Sequence, residues 1–319
     1  MRPPDEILVR VDDVCDLADR VKRFRLVPVD RDRLPSFSGG AHITVLIDHE
    51  DRRIRNTYSL ASPPGRTDAY EISVLLLENS RGGSRYLHTR VAAGTELSIT
   101  EPSNLFPAHA LARKHLLIAG GIGITPFVAM TSQLSGFGHD FELHYAMRTD
   151  ASGAYAKTLK ERHEDRVQLY RTGLGERIPL AELLVDQPLG THLYVCGPER
   201  LIDFVLESGR LAGWPEGSLH CERFLAPPTG DPFTVRLARS EIDVAVGEHE
   251  SILEAVEAAG VEPSYLCRGG VCGQCETRVL SCTGVLQHND HYLTPKERDG
   301  TRLMICMSRF RGEDLLLDL

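Results

Sequence analysis

The stretch Cys267-Arg-Gly-Gly-Val-Cys272-Gly-Gln-Cys275, followed after thirty further residues by Cys306, decides the fold of the C-terminal part of this chain. The spacing C-x4-C-x2-C with a distant fourth cysteine is typical of thiolates that bind a [2Fe–2S] cluster. Gly269, Gly270 and Gly273 permit the tight loop that brings three thiolates onto two irons. A zinc site is the alternative, but zinc frameworks usually add a second short-spaced pair, which Cys306 lacks. The chain is therefore predicted to carry single electrons.

Length and composition are those of a multidomain globular protein. The 319 residues allow two or three domains, and 42% of them are apolar and 25% charged. Met1–Arg10 contains charged side chains and no apolar run, so no signal peptide is expected, and no apolar run is long enough to span a membrane. We predict a cytoplasmic protein with no membrane partner, in which the other cysteines are free thiols. These are Cys15, Cys196, Cys221 and Cys282.

The net charge of −9 argues against nucleic acid as a partner. The segment Phe233–Leu319 holds 14 acidic and nine basic side chains. Such a surface either keeps the protein in solution or docks on a basic protein partner, and charge alone does not choose between these two.

Short alternating segments, separated by Asp, Gly and Pro clusters, occupy the first third of the chain. Six such segments without long helices predict a small antiparallel β-barrel over residues 1–107. The predicted strands are Glu6–Val14, Val21–Val27, His42–Ile47, Asn56–Leu60, Tyr70–Leu77 and Glu96–Thr100.

The pattern then changes to alternating strands and helices. This alternation predicts a doubly wound parallel sheet, an α/β domain over residues 108–225. The predicted strands are His115–Ala119, Phe141–Tyr145, Val167–Arg171 and His192–Cys196, and the predicted helices are Pro126–Leu134, Ala154–Arg162 and Leu180–Leu184.

A Pro- and Gly-rich segment at 226–232 is predicted to link this domain to the last one. Residues 233–319 are predicted to form an α+β domain of the plant-type [2Fe–2S] ferredoxin class. Phe233–Leu237 and Glu241–Val246 are expected to form a hairpin, and Ile252–Ala259 a helix that precedes the cysteine loop.

Two turns of the α/β domain are candidates for dinucleotide binding. In Gly120-Gly121-Ile-Gly123-Ile-Thr125-Pro126 a strand runs into a helix, with glycines that let backbone approach a phosphate. Thr125 is expected to cap this helix, with Pro126 in its first turn. Packing alone can also require glycine here, and the motif departs from G-x-G-x-x-G. Cys196-Gly197-Pro198 ends another predicted parallel strand, so the two turns are expected to face one crevice.

Two segments of the barrel are candidates for binding a phosphorylated cofactor. Arg55-Asn56-Thr57-Tyr58-Ser59 places an aromatic ring beside hydroxyl groups on a strand. Asn79-Ser80-Arg81-Gly82-Gly83-Ser84 offers backbone amides and a guanidinium, as a phosphate nest does. A packed tyrosine and an ordinary turn are the alternative for these two segments.

The order of a barrel, Gly-Gly-Ile-Gly-Ile-Thr-Pro, Cys-Gly-Pro and C-x4-C-x2-C resembles the phthalate dioxygenase reductase family, the reductase components of Rieske-type oxygenases. The resemblance extends over essentially the whole chain, to the closing Asp314–Leu319. It implies FMN in the barrel, NADH in the middle domain and the cluster in the last domain, with FMN and NADH preferred to FAD and NADPH.

The resemblance also assigns flavin-binding residues. It implies that Tyr58 lies against the isoalloxazine and that Thr57 and Ser59 hydrogen-bond near its reactive edge. Gly82, Gly83 and Ser84 are implied to hold the FMN phosphate. The family motif is usually Arg-x-Tyr-Ser, whereas this chain has Asn56 in the arginine position and its arginine at Arg55. Adjacent strand residues point to opposite faces, so Asn56 and Arg81 are expected to hold the phosphate together with the Gly-Gly-Ser turn.

For the coenzyme, the resemblance implies that Thr125 and the preceding glycines bind the dinucleotide and that Cys196 lies close to the nicotinamide. Glu222 and Phe224 match a family segment whose aromatic ring shields the flavin. With Ser59 and Cys196 they are the candidate catalytic residues. Arg148, after a predicted strand, either meets a ribose 2′-phosphate and favours NADPH or is an exposed loop residue, so NADH follows from the resemblance alone.

A hydride carries two electrons and a [2Fe–2S] cluster accepts one, so a flavin is needed between them. The predicted sequence of electron carriers is NADH, FMN, the cluster and then a terminal oxygenase that hydroxylates a ring or removes an O-methyl group. The chain has no C-x-H motif of a Rieske centre, so the organic substrate is expected to bind the partner. The alternatives are a different monooxygenase acceptor and a non-catalytic iron–sulfur sensor or adaptor. His288 and His291 are expected in a polar surface loop rather than in a metal pair.

Overall fold

The computed structural model describes residues 6–49, 52–78 and 81–319 of the chain, which divide into two compact units. The first unit is Met1–Arg223 and the second is Phe224–Leu319. Among the described residues, no helix is both long and apolar enough to cross a membrane.

The first unit begins with a six-stranded antiparallel sheet that confirms the predicted barrel. Its strand order is β4-β3-β6-β1-β2-β5. A bridge between Leu60 and Ile72 joins the end of β4 to β5 and closes the sheet on itself. Ile7, Val9 and Val11 of β1 are all buried, because alternate side chains of a strand point to one face. The strands are β1 Glu6–Ala18, β2 Val21–Pro28, β3 His42–His49, β4 Arg52–Ser59, β5 Tyr70–Leu75 and β6 Glu96–Thr100.

One helix of the barrel was not expected from the sequence. It is α1, Gly83–Arg90, and it begins within the predicted phosphate turn, at Gly83. Among its residues only Gly83, Ser84 and Leu87 are buried. Asn79 and Ser80, which begin that predicted turn, lie outside the described residues.

The first unit continues with a parallel sheet of five strands in the order β11-β10-β7-β8-β9, which confirms the doubly wound α/β fold. Helices α2 and α3 pack on one face through Phe127 and Leu159, and α4 and α5 on the other through Leu184 and Val205. Two of these elements, α5 and β11, were not predicted. The elements are β7 Lys114–Gly120, α2 Thr125–Gly136, β8 Phe141–Met147, α3 Ala156–His163, β9 Val167–Arg171, α4 Leu180–Val185, β10 Thr191–Cys196, α5 Glu199–Leu211 and β11 Leu219–Glu222.

The barrel and the parallel sheet pack directly against each other within the first unit. The hydroxyl groups of Ser73 and Tyr155 form a buried hydrogen bond of 2.7 Å between them. The Gly39 amide donates to Gln133 Oε1 at 2.6 Å, and a Cβ on Gly39 would lie 2.5 Å from the Met130 Cα. The two predicted domains therefore share one packed interface, and the boundary at residue 107 stays a prediction.

The second unit is a five-stranded mixed sheet, in the order β13-β12-β16-β14-β15, with one helix. Helix α6 packs its Ile252, Leu253 and Val256 side chains into the core of this sheet. The predicted α+β class is thereby confirmed. The elements are β12 Phe233–Leu237, β13 Ile242–Val246, α6 Ile252–Ala258, β14 Glu276–Gln287, β15 Arg302–Met304 and β16 Arg309–Leu317.

The end of the predicted linker at 226–232 is held to the sheet of the second unit by one buried arginine. The Arg309 guanidinium donates to the carbonyl oxygens of Gly230 at 2.9 Å and Asp231 at 2.8 Å. It also donates to those of Gly247 at 3.2 Å and Glu250 at 2.8 Å. Burying a charged group is costly unless its donors are satisfied, so these carbonyls fix the conformation of the linker end.

Candidate functional site

The four predicted cluster ligands all lie in the second unit, where they form two pairs. The Sγ atoms of Cys275 and Cys306 are 3.1 Å apart and buried. Their contact raises the pKa of Cys306 and lowers that of Cys275. In the other pair, the Cys267 amide donates to Cys272 Sγ at 3.4 Å. Two pairs of soft thiolates fit two irons, so the donor set suits a [2Fe–2S] cluster.

Backbone amides of the cysteine loop point at the thiolates. The Gly269 and Val271 N–H groups donate to Cys267 Sγ at 3.3 and 3.5 Å. Gly270 and Gly273 have φ values of +69° and +78°, as expected for loop glycines, whereas Gly269 has no positive φ. Hydrogen bonds to ligating sulfur are one means by which a protein tunes an iron–sulfur centre.

Arg268 is the residue of this loop that adopts an unfavourable backbone angle, φ +52°, without being glycine. Its guanidinium forms a two-point ion pair with Glu257 of α6, including a 2.9 Å bond from Nη1 to Oε2. The same guanidinium lies 3.8 Å above the Tyr265 ring centroid. Both charged side chains are only 12% exposed. The pair therefore offsets the backbone strain and fixes the loop to α6.

The segment that contains His288 and His291 packs against the cysteine loop. The prediction of a polar surface loop is therefore wrong in part. Asp290 is buried, and a Cβ on Gly270 would lie 3.0 Å from the Asp290 Cα. The His291 amide donates to the Gly270 carbonyl at 3.0 Å. Only His291 is exposed, since the His288 side chain lies largely buried beside Asp290. No pattern in the sequence predicts that the carboxyl group between the two histidines is buried.

The predicted flavin residues of β4 divide between the two faces of the strand. Asn56 Nδ2 donates to the Tyr58 hydroxyl at 3.1 Å, and burial raises the pKa of Tyr58 to about 12. On the opposite face, the Thr57 and Thr44 hydroxyls are 3.3 Å apart. Ser59 is buried and its Oγ has no hydrogen-bond partner among the described residues. A buried hydroxyl without a partner is costly, so Ser59 fits a site that a polar ligand completes.

Asn56 faces the start of helix α1. A Cβ on Gly83, the first residue of that helix, would lie 2.4 Å from Asn56 Nδ2. The Gly82 residue before it has φ +114°, and the first turn of α1 carries no acidic side chain. The helix dipole at such an N-terminus favours an anion. Gly83 and Ser84 of the predicted nest therefore form the first turn of a helix.

Ser84 and Arg81 also belong to that predicted turn. The Ser84 hydroxyl accepts a hydrogen bond from the Leu77 amide at 3.4 Å, which ties α1 to the chain after β5. Arg81 and Arg55 are both partly exposed, and their roles in phosphate binding stay predictions.

The two glycine-containing turns of the parallel sheet meet, as the sequence predicts. A Cβ on Gly123 would lie 2.4 Å from the Cys196 carbonyl oxygen. A Cβ on Gly197 would lie 3.0 Å from the Gly120 Cα. Backbone thus packs on backbone, which accounts for glycine at these positions without reference to a ligand. The turns also lie at the carboxyl ends of neighbouring strands, where α/β sheets bind nucleotides.

The prediction that Thr125 caps α2 is wrong. The helix begins at Thr125 itself, with Ile124 as the preceding cap residue and no side-chain capping bond. A short 3-10 turn, Gly121–Ile124, precedes the helix, and the Thr125 hydroxyl donates to the Ile122 carbonyl at 3.0 Å. Pro126 lies in the first turn, as predicted, because proline lacks the amide that would be unpaired there. Gly121 has φ +54° at the start of the 3-10 turn.

Cys196 and Glu222 lie side by side at the ends of β10 and β11, where they are register partners. Burial raises the pKa of Glu222 to about 8, and burial together with Glu222 raises the pKa of Cys196. Glu222 Oε2 has no hydrogen-bond partner among the described residues. Neutral at pH 7, this carboxyl can act as a hydrogen-bond donor beside the expected nicotinamide.

Arg223 holds the end of β11 to helix α5. Its guanidinium donates to Asp203 at 2.6 Å and lies 3.8 Å from Glu199. Sequence reasoning gave no role to Arg223, because α5 itself was not predicted. Phe224 begins the second unit and is 48% exposed, so its proposed place over the flavin stays a prediction.

Two family models match parts of this chain, and curated proteins match nearly all of it. Residues 235–311 match the 2Fe-2S iron-sulfur cluster binding domain, and 103–219 match the dimethylamine monooxygenase subunit DmmA-like, N-terminal domain. The chain is 45% identical to the heme-dependent oxidative N-demethylase beta subunit of Ectopseudomonas mendocina (strain ymp), over 98% of both chains. It is 44% identical to the carnitine monooxygenase reductase subunit of Escherichia coli (strain K12), again over 98% of both.

A solved structure extends the likeness to three dimensions. The phthalate dioxygenase reductase, described as a modular structure for electron transfer from pyridine nucleotides to [2Fe-2S], matches with a TM-score of 0.89. Its sequence is 31% identical, and 98% of each chain is covered. The chain therefore belongs to the phthalate dioxygenase reductase family of iron–sulfur oxidoreductases.

Proposed function

We propose that this chain is the reductase subunit of a multicomponent oxygenase and takes electrons from a nicotinamide coenzyme. The observation that carries the proposal is the full-length match to oxygenase reductase subunits, and the two pairs of cysteines in the second unit support it. When bound, the flavin accepts an electron pair and the cluster passes single electrons on, so the two convert hydride chemistry to one-electron delivery. The chain's own residues bind and orient these groups.

For the flavin, the proposed roles follow the two faces of β4. The Tyr58 ring would lie against the isoalloxazine. The Ser59 hydroxyl, which has no hydrogen-bond partner among the described residues, would bond at its reactive edge, beside Thr57. Asn56 and the N-terminus of α1 would hold the phosphate. We propose FMN rather than FAD on the strength of the family resemblance, and the N-terminus of a helix suits its phosphate. Acid extraction of the flavin and its chromatographic identification test this choice, and recovery of FAD would refute it.

The phosphate role of Asn56 gives a prediction. In N56D the new carboxylate at the start of α1 repels the phosphate, and we expect flavin affinity to fall by about tenfold or more, the ordinary scale of one charged contact. R55A is the matched comparison, because Arg55 lies on the other face of the strand, and its effect should be smaller. Titration of flavin fluorescence with each deflavinated variant gives the affinities. A larger loss in R55A than in N56D would contradict the proposed phosphate site.

Glu222 gives a second prediction, on stability. The folded chain keeps this carboxyl protonated up to about pH 8, whereas an unfolded chain releases the proton near 4.5. The folded state therefore loses stability as pH rises from about 4.5 to 8. E222Q cannot ionise, so between pH 5.5 and 8.5 its Tm should fall by several degrees less than that of the wild type. E207Q is the control, because Glu207 is exposed. If the Tm of E222Q and that of the wild type changed identically with pH, Glu222 would not be a buried, protonated acid.

The partner is proposed to be a Rieske-type terminal oxygenase, in keeping with the family resemblance. A haem-containing demethylase is the second candidate, because the beta subunit of a heme-dependent oxidative N-demethylase is 45% identical along 98% of the chain. Both candidates leave binding of the organic substrate to the partner.

Reconstitution tests the proposed function. The purified protein is mixed with NADH and with either a Rieske oxygenase or a haem demethylase, and coenzyme oxidation is followed together with product formation. Coupled turnover with the Rieske protein is the expected result, and turnover with the haem protein alone would replace the first candidate by the second. A protein that shows cluster absorbance, no flavin and no NADH-dependent bleaching would overturn the reductase function.

A further inference from the structure

Tyr155 adopts a backbone conformation that bulky residues rarely tolerate. Its φ is +60° and its ψ is −1°, in the left-handed region, at the position directly before helix α3. A residue at this position usually has extended backbone angles and often caps the helix with its side chain. Tyr155 does neither, since it makes no side-chain capping bond. Strain of this kind persists only where the surrounding structure imposes it, and it is concentrated at functional sites.

The Tyr155 side chain enters the interface between the parallel sheet and the barrel. The residue is 8% exposed, and its hydroxyl is 2.7 Å from the Ser73 hydroxyl in β5. Burial raises the pKa of Tyr155, so this hydroxyl stays protonated at neutral pH. Val21 of β2 belongs to the same apolar core as Tyr155 and Leu159 of α3. The strained residue therefore connects the barrel to the core of the parallel sheet.

Strand β5, which receives this bond, is itself bonded to both segments that are proposed to bind the flavin. Ile72 pairs with Leu60, the residue that follows Ser59 at the end of β4. The Val74 carbonyl accepts a hydrogen bond from His88 Nε2 of helix α1 at 2.8 Å. A displacement of β5 would therefore move the end of β4 and helix α1 with it.

Tyr155 also lies at the edge of the parallel sheet that carries the proposed coenzyme turns. It stands between the end of β8 and the start of α3, and such connections lie at the carboxyl ends of the strands. Gly120 pairs with Ala146, so β7, which leads into the first coenzyme turn, is the direct neighbour of β8. A second bond joins barrel and sheet here, from the Asp19 amide between β1 and β2 to the Ala151 carbonyl at 2.8 Å. The barrel is thus attached at the edge where the coenzyme is proposed to bind.

We propose that Tyr155 is a positioning residue for hydride transfer, whose contact with Ser73 fixes the distance between the flavin site of the barrel and the coenzyme site of the parallel sheet. The inference rests on these two proposed sites. A hydride moves with its electron pair from nicotinamide to flavin only when the reacting atoms are about 3–3.5 Å apart, so a small rotation between the two sheets would slow it. This role needs no contact of Tyr155 with either group and no transfer of its proton.

Hydrogen exchange of the full-length holoprotein tests the contact without turnover. Y155F keeps the ring and removes the hydroxyl. The matched control Y170F removes a hydroxyl that is 2.8 Å from His144 Nδ1 inside the parallel sheet. Exchange of the Asp19 amide should become about tenfold faster in Y155F, the scale of one lost hydrogen bond, and keep its wild-type rate in Y170F. S73A should match Y155F, and the double variant should exchange no faster than either single variant. Unchanged exchange in both Y155F and S73A would overturn the proposal.

Single-turnover reduction of the flavin by NADH separates positioning from stability. The rate at saturating NADH should fall about tenfold in Y155F and S73A, with the half-saturating NADH concentration within about twofold of the wild-type value. Y170F should retain the wild-type rate, and an equal loss of rate in Y170F would refute the specific role of Tyr155. A wild-type rate in Y155F would also refute that role and leave the proposed function standing. If the wild type showed no NADH-dependent flavin reduction, the proposed function would fail and this inference with it.

Discussion

C272S should abolish electron delivery to an external protein acceptor while NADH still reduces the flavin. Serine replaces one of four soft thiolates, and an incomplete donor set does not hold a [2Fe–2S] cluster. Apart from Phe224, the proposed flavin and coenzyme residues lie in the first unit, whose core is separate from that of the second. We expect less than about 1% of wild-type acceptor reduction and flavin reduction within about threefold. Acceptor assays, stopped-flow absorbance and iron content provide the measurements.

C282S is the matched control for this variant. Cys282 lies in β14 of the same unit, and its Sγ is 3.8 Å from the Gly284 carbonyl, so it belongs to neither thiol pair. It should retain iron, cluster absorbance and acceptor reduction. Loss of both flavin reduction and acceptor reduction in C272S, with the first unit still folded, would contradict the order of electron carriers.

G123A should nearly eliminate coenzyme-dependent flavin reduction. The added methyl group would lie 2.4 Å from the carbonyl oxygen of Cys196, so the two turns must move apart. Overpacking of this kind costs about 1–3 kcal/mol of folding free energy. A displacement of reacting groups by about 1 Å can lower the rate by about 100-fold. Single-turnover reduction of the flavin by NADH measures the loss, and thermal unfolding measures the destabilisation.

G136A separates the local effect from a general intolerance of alanine. Gly136 is the last residue of α2, has no neighbour within 4 Å of an added Cβ and lies outside the turn. This variant should be as stable as the wild type or slightly more so, with unchanged flavin reduction. G123A with near-normal reduction would mean that the contact between the two turns has no role in coenzyme use.

Elements with a strong local pattern were predictable from the sequence. The β-branched and alternating segments gave β6, β9 and β12 with the observed bounds. The two glycine turns were expected to lie at one edge of the sheet, and they pack against each other there, because parallel strands end at a common edge. The crevice between them stays a prediction. The cysteine spacing singled out four thiols that form two pairs in the structure, and their role as cluster ligands stays a prediction.

Elements whose stability comes from distant contacts were missed. Helix α1 is short, with only Leu87 among its apolar side chains fully buried, so it has little amphipathic pattern. Strands β14 and β16 pair with Gly284 opposite Gly312. A Cβ on either glycine would clash with the other strand. Asp290 is buried against the cysteine loop, and no local sequence pattern predicts this burial. The pairing of Arg268 with Glu257 likewise depends on how α6 packs.

The carbonyls bound by Arg309 bear on where this chain can be cut or fused. A ferredoxin fragment that begins at Phe224 keeps Gly230 and Asp231, and with them all four carbonyl acceptors described above. A fragment that begins at Phe233, where the first strand of that sheet starts, removes two of these acceptors from a buried charge. The natural joint for grafting this electron-carrying module onto another protein therefore lies before the proline-rich segment and not after it.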